Sequence, residues 1–120
     1  MRLTIESTAA DVARAAADWL RDEVEAAVAQ RGRCLLALSG GRSPWQMLTA
    51  LADEPLPWER LQVLQVDERA VPPDDERRNA LHLAAELLVP GRLPRGAFHA
   101  MPVEHADLDA AAAEYEATLE

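Results

Sequence analysis

The chain has 120 residues, 49% of them hydrophobic, and a formal net charge of −9, so it is sized for one domain with a core rather than a disordered segment. That charge argues against a nucleic-acid binder, whose footprint is a basic patch, and against an anionic membrane surface. All twelve basic residues are arginine, which, with the abundance of alanine, reflects composition bias more than chemistry.

In chain order, residues 2–6 alternate and predict a short edge strand. Thr8 is placed to cap a long helix, with Asp11 in the acidic position of a capping box. Val12, Ala16, Trp19, Leu20, Val24 and Ala27 recur at helical spacing and predict one core-facing stripe, with Arg14, Arg21, Glu23 and Glu25 solvated. Arg31 and Gly32 give the end signal. Met1-Arg2-Leu3-Thr4 lacks the apolar region of a signal peptide. No apolar run reaches membrane-spanning length, and a cytoplasmic protein is expected.

Cys34 to Leu38 is an unbroken apolar run, the pattern of a parallel strand covered on both faces. Cys34 cannot form an internal disulfide and reads as a buried, inert thiol. Gly40-Gly41 follows, then Arg42, Ser43 as an N-cap and Pro44 at the first helical position. A glycine turn opening a helix leaves free N–H groups at a positive helix end, which suits an anion such as phosphate; a plain tight turn is the alternative. The stretch is neither a Walker A sequence nor a dinucleotide fingerprint.

The next helix carries Trp45, Leu48 and Leu51 inward and is ended by Pro55 and Pro57, with Trp58 packing over the turn. Leu61 to Val66 predicts a second strand with Asp67-Glu68-Arg69 at its carboxyl end, the edge at which open parallel sheets bind ligands. Arg69 suits a phosphate or carboxylate and Asp67 suits proton handling; an internal ion pair bracing the loop is the equal alternative. Val71-Pro72-Pro73-Asp74-Asp75 reads as a stiff loop ending in cap residues. Glu76-Arg77-Arg78 reads as a solvated start to a helix running to about Val89, with Leu81, Ala84, Leu87 and Leu88 inward. Asn79, in its first turn, either binds ligand or fixes the loop.

Pro90-Gly91 stops that helix, Phe98 to Met101 is a short strand, and Asp107 starts an alanine-rich helix with Leu108, Ala111, Tyr115 and Leu119 at helical spacing. His82, His99 and His105 match no metal-ligand spacing, and no serine-hydrolase elbow is present. Strand and helix in alternation predict an α/β chain with a Rossmann-like open, mainly parallel sheet and flanking helices.

Leu38-Ser39-Gly40-Gly41-Arg42-Ser43-Pro44, then Val66 to Asp75 with its Asp-Glu-Arg and Val-Pro-Pro-Asp-Asp, then Asn79, resemble the 6-phosphogluconolactonases, part of the wider group with glucosamine-6-phosphate isomerase/deaminase. The resemblance spans residues 1–120 as one partial α/β sugar-phosphate-binding domain, the amino-terminal half of the family's enzyme. It implies cofactor-free hydrolysis of 6-phosphogluconolactone to 6-phosphogluconate in the pentose phosphate pathway. Gly40, Gly41, Arg42 and Ser43 would line the phosphosugar site, Arg69 and Asn79 would hold substrate, and Asp67 would assist. The family's later Gly-x-Gly-x-Asp-Gly-His motif, with its general-base histidine, has no match here, and neither His99 nor His105 sits in such a setting. The implied partners are a phosphorylated sugar lactone and either a complementing carboxyl-terminal half or a second copy. The alternatives are an amino-sugar-phosphate isomerase/deaminase, against which Arg69 and the Pro-Pro loop speak, and a non-catalytic phosphosugar-binding module.

Overall fold

In the computed structural model, which describes residues 3–119, three parallel strands and four α-helices alternate along the chain. Helix α1 (Ala9–Arg31) leads into β1 (Cys34–Leu38), α2 (Arg42–Ala52), β2 (Leu61–Gln65), α3 (Asn79–Leu87), β3 (Phe98–His99) and α4 (Leu108–Leu119). The strands lie in sequence order, β1-β2-β3, with Cys34 opposite Leu61 and Val63 opposite Phe98. The predicted α/β architecture is therefore present. No helix of the described residues is long and apolar enough to cross a membrane.

The start of α1 follows the sequence closely. The Thr8 hydroxyl accepts from the Asp11 amide at 3.1 Å and donates to its carboxylate at 2.7 Å, and Gly32 closes the helix at φ 74°. Leu48, Leu51, Leu61, Leu83, Leu87, Val24 and Val63 are fully buried and form the centre of the core, each contributing about 1.5–3 kcal/mol of transfer free energy. Trp58 is buried in a 3₁₀ turn just ahead of β2.

Several expectations shift. Residues 3–6 form no strand, and residue 2 lies outside the described part. On α1 the buried positions are Ala13, Ala17, Val24 and Ala27, while Val12 and Trp19 stay more than half exposed. Helix α1 packs on α2, and three of its four buried residues are alanines. β1 is an edge strand, and Leu35 and Ala37 are exposed rather than covered. Leu81 is likewise exposed on α3, where Leu83 and Leu87 face the core. Val12, Ala16, Leu36, Ala37 and Met47 line an open groove of about 600 Å³ that runs to Ser39 and Ser43.

Candidate functional site

Both polar turns stand at the carboxyl end of the sheet, after β1 and after β2. Gly41, not Ser43, is the N-cap of α2, at φ 119° and ψ 163°, a conformation open to glycine and closed to side chains. The helix thus starts two residues earlier than the Ser-Pro signal predicts, with Pro44 as its third residue. Its first bond runs from the Trp45 amide to the Gly41 carbonyl at 3.0 Å. The amides of Arg42 and Ser43 then have no intrahelical acceptor and face outward at the positive helix end. Both residues are exposed.

Gly40 is needed for a different reason. A Cβ there would fall on the Asn79 carboxamide, overlapping its Oδ1 and Cγ. Asn79 is buried (3% exposed), and its Nδ2 donates to the Asp67 carbonyl at 3.1 Å and to the Asp67 carboxylate at 3.3 Å. One carboxamide therefore touches the glycine turn and holds the second motif. Of the two uses open to Asn79, its contacts are those of a residue that fixes the loops.

Asp67 and Arg69 are exposed. Neither Arg69 nor Arg42 forms a side-chain ion pair among the described residues, and the side chains of Arg42, Ser43 and Arg69 make no hydrogen bond to one another. The bracing pair anticipated within Asp67-Glu68-Arg69 exists but uses a different cation. Glu68 Oε2 lies 3.3 Å from Arg78 Nε, with both side chains buried. Arg78 also donates to the Val71 carbonyl at 3.0 Å and pairs with Glu104 at 2.7 Å. The reading of Arg78 as solvated is thus overturned, whereas Arg77 does stay exposed, paired with Asp75. That pairing holds the Asp75 carboxyl at about 2.

Burial is the largest single effect on Glu68 and pushes its pKa up. Hydrogen bonds from Gln65 and from the amides of Arg69, Ala80 and Asn79 together outweigh it and hold the group below the ordinary carboxylate value. Gln65, which the sequence marks only as part of the second strand, braces Glu68. It is 3% exposed, and it donates to Glu68 at 2.9 Å while accepting from the Met101 amide at 2.8 Å. The Tyr115 hydroxyl accepts from the Gln65 amide at 2.7 Å and lies 3.2 Å from the His99 carbonyl, tying α4 to the ends of β2 and β3. The signal for that role was the hydroxyl itself, because a buried tyrosine needs a partner.

The histidines stand apart. His82 stacks on Trp45 at 4.1 Å, His99 meets Gln62 at 2.6 Å, and His105 meets Glu114 at 3.0 Å. Cys34 is buried, and desolvation raises its thiol pKa above the ordinary value, so it is no ready nucleophile.

A family model described as glucosamine-6-phosphate isomerases/6-phosphogluconolactonase matches residues 7–120. The curated 6-phosphogluconolactonase of Pseudomonas aeruginosa is 37% identical over 110 residues, covering 92% of this chain and 46% of that protein. That of Pseudomonas putida is 40% identical over 107 residues, covering 89% and 42%. Among solved structures, 6-phosphogluconolactonase from Thermotoga maritima superposes with a TM-score of 0.84 at 24% identity, covering 96% of this chain and 51% of the other. A monomeric glucosamine-6-phosphate deaminase superposes with a TM-score of 0.81 at 17% identity, covering 99% and 50%. At these identities the two structures speak for the fold. The chain spans about half the length of the curated relatives it matches.

Proposed function

The chain belongs to the glucosamine-6-phosphate isomerase/6-phosphogluconolactonase family, and on that premise we propose that it carries the phosphosugar-binding rim of a cytoplasmic 6-phosphogluconolactonase acting in the pentose phosphate pathway. The observation that supports this reading is the pair of exposed arginines without carboxylate partners among the described residues, Arg42 at the start of α2 and Arg69 after β2, in two motifs fastened together through Asn79. The Gly41, Arg42 and Ser43 main chain and the Arg42 guanidinium receive the phosphate, because a helix start and a cation both favour a dianion. Gly40 lets the turn close on Asn79. Arg69 offers its planar fork to the substrate's oxygens.

The reaction is ester hydrolysis. Water adds to the lactone carbonyl, the ring C–O bond breaks, a base takes the water's proton and the ring oxygen regains one. No electrons are transferred, so no redox cofactor is required. Asp67, exposed and steadied by Asn79, assists by orienting groups at the reacting end. The general base belongs to the remaining half of a relative-length protein, which is the partner this reading requires.

Isothermal titration of the 120-residue chain with 6-phosphogluconate and with gluconate tests the proposal. Binding of the phosphorylated acid alone, lost in Arg69→Ala, is the expected result. Absence of binding in the parent chain would overturn the reading. In a coupled assay, lactone turnover above the spontaneous rate, lost in Arg69→Ala, would overturn the assignment of the base to the missing half.

A further inference from the structure

We propose that Glu68 is the positioning residue of this rim, a carboxylate that caps α3 from the neighbouring strand end and thereby sets the two phosphosugar loops relative to each other. This rests on the function proposed above.

Helix α3 has no side-chain cap of its own, since Arg78 at the N-cap position makes no capping bond. Glu68 supplies the cap from eleven residues upstream, accepting from the Asn79 amide at 2.8 Å and the Ala80 amide at 2.8 Å. An anion at a helix start is stabilised by the helix dipole and by the orphan amides it satisfies. The same oxygen that takes the Asn79 amide, Oε1, also takes the Arg69 amide at 2.7 Å. Oε2 takes Gln65 Nε2 at 2.9 Å and the Ala80 amide, and faces Arg78. Every neighbour is a donor, so both oxygens are in use.

The geometric consequence reaches both motifs. Through its bond to the Arg69 amide, Glu68 fixes the backbone that presents Arg69. Through its bond to the Asn79 amide, it fixes the residue whose carboxamide holds Asp67 and fills the space over Gly40. A single buried carboxylate thus links strand ends that are neighbours in the sheet but 27 residues apart in sequence, counting from Gly40 to Asp67 (67 − 40). Its side chain is fully buried beneath the rim. Its effect is exerted through Arg69 and Asn79.

Glu68→Gln is the sharp test, because it keeps the shape and places an NH₂ group among donors whichever way it turns. The parent chain and the variant are compared by amide NMR, by titration with 6-phosphogluconate and by circular dichroism, well below the melting temperature. The expected result is a folded variant with displaced Gly40 and Gly41 amide resonances and affinity weakened about tenfold or more. A residue that only stabilised the fold would lower the melting temperature and leave those amides and the affinity unchanged, which overturns the proposal. If Glu68→Gln does not fold, Glu68→Asp is read in its place: it keeps the charge with a shorter reach, and unshifted Gly40 and Gly41 amides with full affinity overturn the proposal. If the parent chain does not bind 6-phosphogluconate, the functional reading fails, but the Gly40 and Gly41 resonances still decide the positioning role.

Discussion

Replacing Gly40 with alanine puts a methyl group where the Asn79 carboxamide lies. The carboxamide has to withdraw, giving up its bonds to the Asp67 carbonyl and carboxylate. Overpacking at such a site costs about 1–3 kcal/mol, and loss of the buried hydrogen bonds costs about 1–3 kcal/mol more. The penalties overlap because one movement relieves the first while causing the second. Alanine also restricts the unfolded chain, which returns about 0.4–1 kcal/mol. The expected net destabilisation is about 2–4 kcal/mol, a fall in melting temperature of roughly 8–16 °C at about 4 °C per kcal/mol. Gly40, unlike Gly41, does not have a positive φ, so backbone strain adds nothing. Asn79→Ala removes the three atoms nearest to the new Cβ, all of them in the carboxamide. In that background Gly40→Ala should be neutral or slightly stabilising by thermal or urea denaturation. Equal losses in both backgrounds would falsify the steric account.

Tyr115→Phe leaves the buried Gln65 amide without its acceptor and should cost about 1–3 kcal/mol; an unchanged urea midpoint would count against the anchoring role of the hydroxyl. Burial first, offset in part by the Gln65 amide, raises the Tyr115 pKa above its ordinary 10.0. The folded chain therefore holds that proton more tightly than the unfolded chain, so this contribution is complete below pH 10 and is lost as pH rises through the folded value. The buried Cys34 thiol, also raised by desolvation, adds to the same alkaline decline, so Tyr115→Phe should remove the part that follows the phenol and leave the part that follows the thiol. Val12, Trp19 and Leu35, each more than half exposed beside the open β1 edge, should drive self-association. Sedimentation velocity should show oligomers that Trp19→Gln with Leu35→Thr dissolves, and a parent chain that is monomeric throughout would refute this.

What was legible in the sequence was what local chemistry decides. The capping box at Thr8, the Gly32 stop, the apolar run of β1 and the strand pattern of β2 each carry their signal within a few residues. The errors arose where a distant group takes over. Asp74 and Asp75 look like caps for α3, yet the cap is Glu68, reached through space from the adjacent strand end. Arg78 reads as solvated because it stands in a charged run, yet it is drawn inward by the buried carboxylate. Ser43-Pro44 is a sound local helix start, overridden when Gly41 takes a backbone angle that only glycine tolerates. On α1, alanines on nearly every face leave the periodicity unable to say which side turns inward. The two polar motifs were visible, but the way Asn79 joins them was not, since no spacing rule encodes a contact between a missing Cβ and a remote carboxamide.

The order of the strands has a consequence for how the chain comes together. Because β1, β2 and β3 lie side by side in the sequence in which they are made, each strand emerging from a ribosome finds its partner already synthesised. Among these three described strands, no pairing has to wait for a later segment to insert between two earlier ones. Assembly can then proceed vectorially, with each crossover helix laid down before the next strand is added. The outer edge of β1 is the exception, available from the first moment of synthesis. During that interval Leu35 and Trp19 are the surfaces that a holdase chaperone would be expected to grip.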